Sequence, residues 1–334
     1  MAHPDADLAE RIVGADKTAV AQALNLIEDR RPESYARIQA LLGGLAARAG
    51  GQRIGLTGPP GAGKSTLAAA LARELRARGR TAGILAVDPS SLRSGGALLG
   101  DRARMSFDPS DAGLFVRSLA TAGDTGGLAY AAALVVEVLA CAYDRVLVET
   151  TGVGQSETDV EHVVDTVCVV VQPGSGDVLQ FIKAGIMEIP DVLVVNKGDV
   201  GRLARRAAND LEAALDALRG TGVADASGWR VPVIVTSARD RTGIDALADA
   251  LDAHLASLGD PAQHRRAGAA QWTLALVRRR HGDHGVEALG GREAILRSVA
   301  DTLARGEGPL AIADALGQRY LAILADPARP AGHG

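Results

Sequence analysis

The hydrophobic positions of the chain follow two different periods, and the change between them lies at Gly50-Gly51. Across residues 8–49, apolar side chains recur at spacings of three and four, which predicts two or three helices. The pattern is broken at Arg31-Pro32, because the residue before a proline disfavours helical backbone. Residues 1–50 are therefore predicted to form an N-terminal helical extension.

Between residues 51 and 258, short apolar runs alternate with longer segments of helical period. Runs that are apolar on both faces are typical of central strands in a parallel sheet covered by helices. The predicted strands are residues 54–57, 84–87, 146–149, 167–172, 192–196 and 233–236. The predicted helices are residues 65–78, 127–142, 203–218 and 244–258. This alternation predicts an open α/β domain with a mostly parallel, doubly wound sheet.

The strand pattern ends at Gly259-Asp260-Pro261. Beyond it, residues 271–280 and 292–305 are predicted to be helices with arginine-rich faces. We therefore expect residues 259–334 to form a C-terminal helical arm used for interactions.

Charge and cysteine content limit the classes of function. The net charge is −4 and the sequence pI is about 6.0, so no basic field holds nucleic acid or an anionic membrane by electrostatics alone. Cys141 and Cys168 lie within apolar segments and are predicted to be buried small hydrophobic residues. The first ten residues contain no apolar run that could act as a signal peptide, so we expect a cytoplasmic protein.

A glycine-rich segment follows the first predicted strand and opens the next predicted helix. Its glycines let successive backbone N–H groups point at phosphate oxygens, and the helix N-terminus adds a partial positive charge. Lys64, one of only four lysines beside 32 arginines, would bridge the β- and γ-phosphates of a nucleotide. The segment thus predicts a P-loop NTPase. Its nucleotide-binding residues are Gly58, Gly61, Ala62, Gly63, Lys64, Ser65 and Thr66.

A Mg²⁺ ion is expected beside this loop, with the hydroxyl of Ser65 as one ligand and further hard oxygen atoms as the others. Asp88 and Glu149 each end a predicted strand, at the edge where ligands of open α/β sheets bind. Asp101, on the loop after Asp88, is a third candidate. For each carboxylate, the alternative is capping of a neighbouring loop or helix.

A second motif, Asn196-Lys197-Gly198-Asp199, follows the fifth predicted strand, and Ser237 and Ala238 follow the sixth. An ionised aspartate only accepts hydrogen bonds, so Asp199 can take both N–H donors of a guanine edge, whereas adenine presents an acceptor there. Lys197 can lie over the ring, Asn196 can tie the loop to the P-loop, and the amide of Ala238 can reach the guanine oxygen. These residues predict GTP and GDP as ligands.

Phosphoryl transfer to water depends on positioning and charge neutralisation. Lys64 and the metal held by Glu149 would supply charge, and the amide of Gly152 would contact the γ-phosphate. Gln155 either orients the attacking water or serves as a cap or subunit contact. No arginine finger is placed by the sequence, so we predict slow intrinsic turnover that a partner accelerates.

With these residues in place, the chain resembles the MeaB/ArgK family, GTPases that act as chaperones for adenosylcobalamin-dependent acyl-CoA mutases. The likeness spans residues 8–199 and includes LNLIE at 24–28, VDPSS at 87–91 and VETTGVGQSE at 148–157. The last two segments are similar to the family's first and second switches. The resemblance implies a GTPase that gates adenosylcobalamin delivery to a mutase such as methylmalonyl-CoA mutase, and that protects or reactivates it. It also implies a homodimer formed through the C-terminal arm.

The family's third switch couples the nucleotide state to the mutase, and residues 174–188 are similar to it. The resemblance implies Asp177, Gln180 and Lys183 as switch residues toward the partner. Here Val178 stands in place of an acidic residue and Phe181 in place of a glycine.

Two other functions remain open from the sequence. The first is a GTPase that inserts nickel or another metal, although such proteins usually carry His-rich tracts or paired cysteines, and this chain has seven scattered histidines and two distant cysteines. The second is an ATP-dependent kinase linked to amino-acid transport, against which Asn196 to Asp199 argue.

Overall fold

The computed structural model describes residues 4–29, 31–45, 48, 50–88, 108, 110–120, 130–150, 161–174, 190–219 and 228–325. Three helices come first: α1 (Pro4–Val13), α2 (Lys17–Glu28) and α3 (Pro32–Leu45). The carboxylate of Asp16 caps α2 by accepting the amides of Thr18 and Ala19. The predicted break at Arg31-Pro32 is confirmed, since α2 ends before it and α3 begins with the proline.

The central part alternates strands with helices. The strands are β1 (Gln52–Thr57), β2 (Ala82–Asp88), β3 (Leu114–Ala120), β4 (Arg145–Glu149), β5 (Thr166–Val171), β6 (Val192–Val195) and β7 (Val233–Val235). The helices are α4 (Lys64–Ala77), α5 (Tyr130–Ala142), α6 (Arg202–Arg219) and α7 (Ile244–Ser257), with a 3₁₀ turn at Gly198–Val200. These strands form one sheet in the order β3-β2-β4-β1-β5-β6-β7, and every neighbouring pair is parallel. The predicted doubly wound α/β fold is confirmed.

The alternation of side chains along each strand divides the core between two faces. On β5, Val169 and Val171 belong to an apolar cluster that includes residues of α1, α2, α3 and α5, whereas Cys168 and Val170 belong to a cluster that includes residues of α4 and α7. The N-terminal extension therefore covers the same face of the sheet as α5. Both faces of the central strands are buried, which is why these strands read as continuous apolar runs.

Three predicted strands end one residue early, at Val171, Val195 and Val235 instead of the polar residue that follows. For β6 the reason is visible, because Asn196 turns its side chain to other loops while its amide still donates to the carbonyl of Val171. The polar residues at these positions therefore begin the loops that build the site.

Strand β3 was not predicted from the sequence. It lies at the edge of the sheet, and Arg117 interrupts its apolar pattern opposite Leu85 of β2. The guanidinium of Arg117 donates to Glu28 and Asn25 of α2, so an outward-facing ion pair replaces apolar packing there. The contact depends on the N-terminal helices and has no local sequence signal.

The C-terminal part contains α8 (Pro261–Ala288), α9 (Gly291–Ala304) and α10 (Pro309–Ala325). The prediction of residues 271–280 was too short, since α8 begins ten residues earlier at Pro261, with Asp260 as its N-cap, and continues past a non-helical Gly282. The helix predicted at 292–305 corresponds to α9, and α10 was missed. Helix α8 packs against α9 and α10. Among the described helices, none combines the length and the apolar character needed to cross a bilayer.

Candidate functional site

The loop between β1 and α4 requires glycine at its two ends. Gly58 has φ 134°, and a Cβ placed there would lie 2.0 Å from the carbonyl oxygen of Val170. Gly63 has φ 87°, and a Cβ there would lie 2.6 Å from the amide nitrogen of Asn196. Both positions combine a left-handed backbone with close approach to a neighbouring strand or loop, which only glycine tolerates. The loop is thereby held against β5 and β6.

Lys64 is the first residue of α4, and only 7% of it is exposed. Its ammonium group donates to the carbonyl oxygens of Gly58 at 2.6 Å and Pro59 at 3.1 Å. The side chain therefore turns back over the loop, with its charge at the mouth of the helix N-terminus. This is the place at which a phosphate group would need a compensating cation.

Ser65 and Glu149 meet beside the helix N-terminus, although 84 residues separate them in the chain. The hydroxyl of Ser65 donates to Oε1 of Glu149 at 2.5 Å. Glu149 is the last residue of β4 and lies opposite Leu56 of β1, so the register of the two strands brings its carboxylate to the P-loop. A buried carboxylate and a hydroxyl are hard oxygen donors, which suit Mg²⁺.

The backbone of Asp88 lies at the same end of the sheet as Glu149, where the strands have their carboxyl ends. Glu149 is opposite Ala86 of β2, so Asp88 stands two residues further toward the carboxyl end of the neighbouring strand. Asp88 therefore ends its strand beside Glu149, which is the placement expected of a further oxygen ligand.

Thr150, the residue after Glu149, is hydrogen-bonded to β1. The hydroxyl of Thr150 donates to that of Thr57 at 3.1 Å, and the amide of Thr150 donates to the carbonyl of Leu56 at 3.1 Å. The sequence analysis did not single out Thr57 or Thr150, and the only available signal was that each directly borders a predicted motif.

Asn196 connects three loops through one buried side chain. Its Nδ2 donates to the carbonyl of Ala62 at 2.9 Å, in the middle of the P-loop. Its Oδ1 accepts from the hydroxyl of Thr236 and from the amide of Ala238, both at 3.3 Å. Asn196 thus holds the loops after β6 and β7 against the phosphate loop.

The remaining residues of the base motif lie at the exposed end of β6. Lys197 adopts φ 59° and its ammonium donates to Oε1 of Gln172 at 2.5 Å. Asp199 is exposed, and its Oδ1 accepts the hydroxyl of Ser237 at 3.2 Å. The amide of Gly198 donates to the carbonyl of Thr236 at 2.8 Å, which fixes the distance between the two loops.

Sequence reasoning missed three supporting residues here. Gln172 contacts Lys197, Thr236 contacts Asn196, and Asp240 contacts Ser237 through its amide and carboxylate. Each lies on a loop directly after β5 or β7, where parallel strands present their carboxyl ends together.

Several predicted site residues lie outside the described part of the chain: Asp101, Gly152, Gln155, Asp177, Gln180 and Lys183. Val178 and Phe181 lie outside it as well, and of Asp88 only the backbone is described. The assignments made to these residues stay predictions.

A separate cavity of about 380 Å³ lies at the other end of the strands, near the start of β1. Its lining includes Arg53, Glu137, His162 and Trp272, contributed by β1, α5, the segment before β5 and α8. It is not part of the phosphate and base site, which lies at the carboxyl ends of the strands.

The chain was compared with known families, and the family model described as "Methylmalonyl Co-A mutase-associated GTPase MeaB" matches residues 20–288. The chain belongs to this family. A probable GTPase of Mycobacterium tuberculosis is 39% identical over 278 residues, covering 81% of this chain and 82% of that protein. The mouse mitochondrial methylmalonic aciduria type A homolog is 35% identical over 283 residues, covering 80% of this chain and 67% of that protein.

The fold is also similar to a solved structure, the crystal structure of LAO/AO transport system kinase. The TM-score is 0.67 at 27% sequence identity, with 91% of this chain and 99% of the other covered.

The family membership and the fold confirm two predictions together. The resemblance to MeaB/ArgK proteins is correct, and the chain is a P-loop GTPase that hydrolyses GTP. The nucleotide is its substrate, and the loops at Gly58–Gly63 and at Asn196 meet at the carboxyl ends of the strands.

Proposed function

We propose that GTP hydrolysis by this chain gates the delivery of adenosylcobalamin to an acyl-CoA mutase and protects or reactivates that mutase. The observation that carries the proposal is the match of residues 20–288 to a family described as mutase-associated. The name of the mouse relative, which refers to methylmalonic aciduria, supports the same partner class. Methylmalonyl-CoA mutase or a related acyl-CoA mutase is the enzyme served.

In this proposal each part of the nucleotide meets its own residues. Lys64 neutralises the β- and γ-phosphates, while the amides of Gly61, Ala62, Gly63, Ser65 and Thr66 surround them. Asp199 accepts the two guanine donors, Lys197 covers the ring, and Ser237 orients Asp199. The amide of Ala238 donates to Oδ1 of Asn196 at 3.3 Å and would be shared with the guanine oxygen.

Ser65, Glu149 and Asp88 would hold Mg²⁺, with Asp101 as a further candidate. When bound, the ion would supply positive charge to the phosphate oxygens during transfer. Glu149 would then bind the ion directly or accept a hydrogen bond from one of its water ligands, and this contact would replace the hydrogen bond from the serine hydroxyl. Gly152 and Gln155 complete the catalytic set as sensor of the γ-phosphate and candidate orienting residue for water.

Segments outside the nucleotide site would make the contacts with the mutase and with a second copy of the chain. Asp177, Gln180 and Lys183 act as the switch toward the mutase, the C-terminal arm forms a homodimer, and the protein works in the cytoplasm. Because the sequence motifs provide no arginine finger, intrinsic turnover is slow and the mutase accelerates it.

The test uses the purified chain, the acyl-CoA mutase of the same host and adenosylcobalamin. We expect mutase to raise the GTPase rate, and GTP but not GDP to permit loading of cobalamin, followed by its absorption spectrum. If the mutase leaves the GTPase rate unchanged and loading ignores the nucleotide, the mutase assignment is wrong while the GTPase assignment stands. Preference for ATP over GTP in the same assay would favour the kinase alternative.

A further inference from the structure

The first turns of α6 carry positive charge where a helix disfavours it. Arg202, Arg205 and Arg206 are all exposed, and the first turn contains no acidic residue. The N-terminus of a helix has a partial positive charge, so cations there raise the free energy of the folded state. Spacings of three and four also place the three guanidinium groups side by side on one face, where like charges repel.

Three other described helices have an acidic residue at this position. Helices α3, α7 and α9 carry Glu33, Asp245 and Glu293 in their first turns. The arginines of α6 are also without compensation: within the described ranges, no ion pair or hydrogen bond engages their guanidinium groups. Within the described part of the chain, no contact compensates for this cost in stability, which is typical of a surface that is used for binding.

Two large apolar side chains are exposed at the same place. Val200 is 45% exposed and Leu203 is 56% exposed, and they flank Arg202 on either side. We define the α6 patch as Val200, Arg202, Leu203, Arg205 and Arg206. Arginine is enriched at protein interfaces, and the two exposed apolar side chains beside it add surface that a partner could bury.

The α6 patch borders the loop that reads the base. Val200 ends the 3₁₀ turn that contains Asp199, and the facing loop after β7 adds the exposed Arg239 and Arg241. The acidic groups on these loops are Asp199 and Asp240, and both contact Ser237. Both aspartates are exposed, and so is Asp210, four residues after Arg206, so five exposed arginines stand beside three exposed aspartates and positive charge is in excess.

We propose that the α6 patch is a docking site for an acidic protein surface with a shallow apolar pocket, and that this surface belongs to the mutase of the proposed function, on which the inference rests. Val200 and Leu203 favour a protein over a nucleic acid, which offers no apolar pocket. They also favour a protein over a lipid surface, because the other apolar residues of α6, such as Ala204 and Leu211, are buried and leave no continuous apolar face to insert. The net charge of −4 opposes an extended polyanion as well. A partner seated here touches the base loop and can sense or alter nucleotide exchange.

The test measures the affinity of the chain for the host's acyl-CoA mutase by surface plasmon resonance, at several salt concentrations. The variant carries Arg202→Glu, Arg205→Glu and Arg206→Glu together. We expect Kd to rise by about tenfold or more and its salt dependence to become shallow. The Tm should stay the same or rise, because acidic residues suit the helix N-terminus, and GTP hydrolysis without mutase should be unchanged.

Two control variants separate charge from shape. The matched triple Arg→Lys variant keeps the charge and should bind within about threefold of the wild type, since exposed charge mostly steers association. Leu203→Ala should weaken binding at all salt concentrations while leaving the Tm unchanged. If the glutamate variant fails to fold, the triple Arg→Gln variant carries the same expectation.

Unchanged mutase affinity in the charge variants together with Leu203→Ala overturns the inference but leaves the proposed function in place. Absence of binding by the wild-type chain overturns both. Patch-dependent binding to phosphatidylserine vesicles or to RNA, with none to mutase, also overturns the inference, because the occupant would then be a polyanion.

Discussion

The buried amide of Asn196 illustrates how single residues organise this site. Its nitrogen donates to the P-loop carbonyl of Ala62, and its oxygen accepts from the loop after β7. A carboxylate could not donate to Ala62, and a hydroxyl would have to donate and accept through the same oxygen atom, whereas the amide does so through two separate atoms. The residue therefore couples the P-loop to the loops after β6 and β7, and Asp199 remains exposed for the base that we propose it reads.

Replacing Asp199 by asparagine should change base selectivity. The introduced side-chain amide would present a donor to a guanine N–H, so we expect the affinity for GTP to fall by about a hundredfold or more. Xanthosine triphosphate has an oxygen at that edge and should bind to the variant better than to the wild type. Binding of both nucleotides is measured by isothermal titration.

Asp210→Asn, on the exposed face of α6, is the matched control and should leave both affinities unchanged. Equal affinity for GTP in Asp199→Asn and the wild type would contradict the assignment of the base site.

The two thiols should resist alkylation in the folded protein. Burial raises the pKa of Cys141 to about 12 and raises that of Cys168 further, so at pH 8 both remain protonated. The thiolate is the reactive form, and we therefore expect modification by iodoacetamide to be slow, and fast after unfolding in urea. Mass spectrometry of native and unfolded samples, with glutathione as the rate reference, measures this. Fast native labelling of Cys168 would contradict its placement in β5.

At the scale of elements, the unit formed by β1, the P-loop and α4 is specified by neighbouring residues in the chain. Gly58 and Gly63 set the loop, Lys64 opens the helix, and the apolar run before them forms the strand. Such local information explains why the sequence predicted this unit to within two residues at each boundary. The sequence did not predict strand β3, because Arg117 interrupts its apolar pattern and the partner of Arg117, Glu28 of α2, is distant in the chain.

Alanine substitutions at Gly58 and Gly61 should differ in their cost. Both glycines have positive φ, but a Cβ at Gly61 meets no atom within 4 Å, whereas at Gly58 it lies 2.0 Å from the carbonyl of Val170. We expect Gly61→Ala to lower the free energy of unfolding by about 1–2 kcal/mol, from backbone strain alone. Gly58→Ala should cost more than about 4 kcal/mol, because a backbone clash is added.

Urea unfolding followed by circular dichroism measures both variants. Equal losses at Gly58 and Gly61 would mean that the loop moves away from β5 at little cost.

At the scale of the whole molecule, a buried ionic network joins the C-terminal helices to the sheet. Asp165 precedes β5 and is fully buried, and its carboxylate accepts two bonds of 2.7 Å from Arg265 of α8. It also accepts the amide of Arg53 in β1 at 2.9 Å, while Arg265 donates to the carbonyl of Gly51 at 3.0 Å. The first turns of α8 are thereby attached to the edge of the sheet opposite the P-loop.

Asp165→Asn should strongly destabilise the fold. Removing one member of a buried pair leaves the other charge uncompensated, so we expect a loss of about 3–5 kcal/mol in the free energy of unfolding. The matched control is Asp283→Asn, whose pair with Arg278 is 72% and 64% exposed and should contribute about 1 kcal/mol or less. Urea unfolding at fixed protein concentration compares the two. Equal effects would show that the Arg265 contact does not anchor α8.

The sequence by itself determined the motifs whose atoms come from neighbouring residues: the P-loop, the base motif at Asn196 to Asp199, and the apolar runs of the central strands. It did not determine which distant groups meet them. The sequence offered Asp88, Asp101 and Glu149 as candidates to lie near Ser65. The tertiary structure places the carboxylate of Glu149 against Ser65, because the strand order sets β4 beside β1 and the register then fixes the carboxylate. The exposure of Leu203 beside three arginines was likewise decided by packing, since a helical apolar residue is buried or exposed according to the face that meets the sheet.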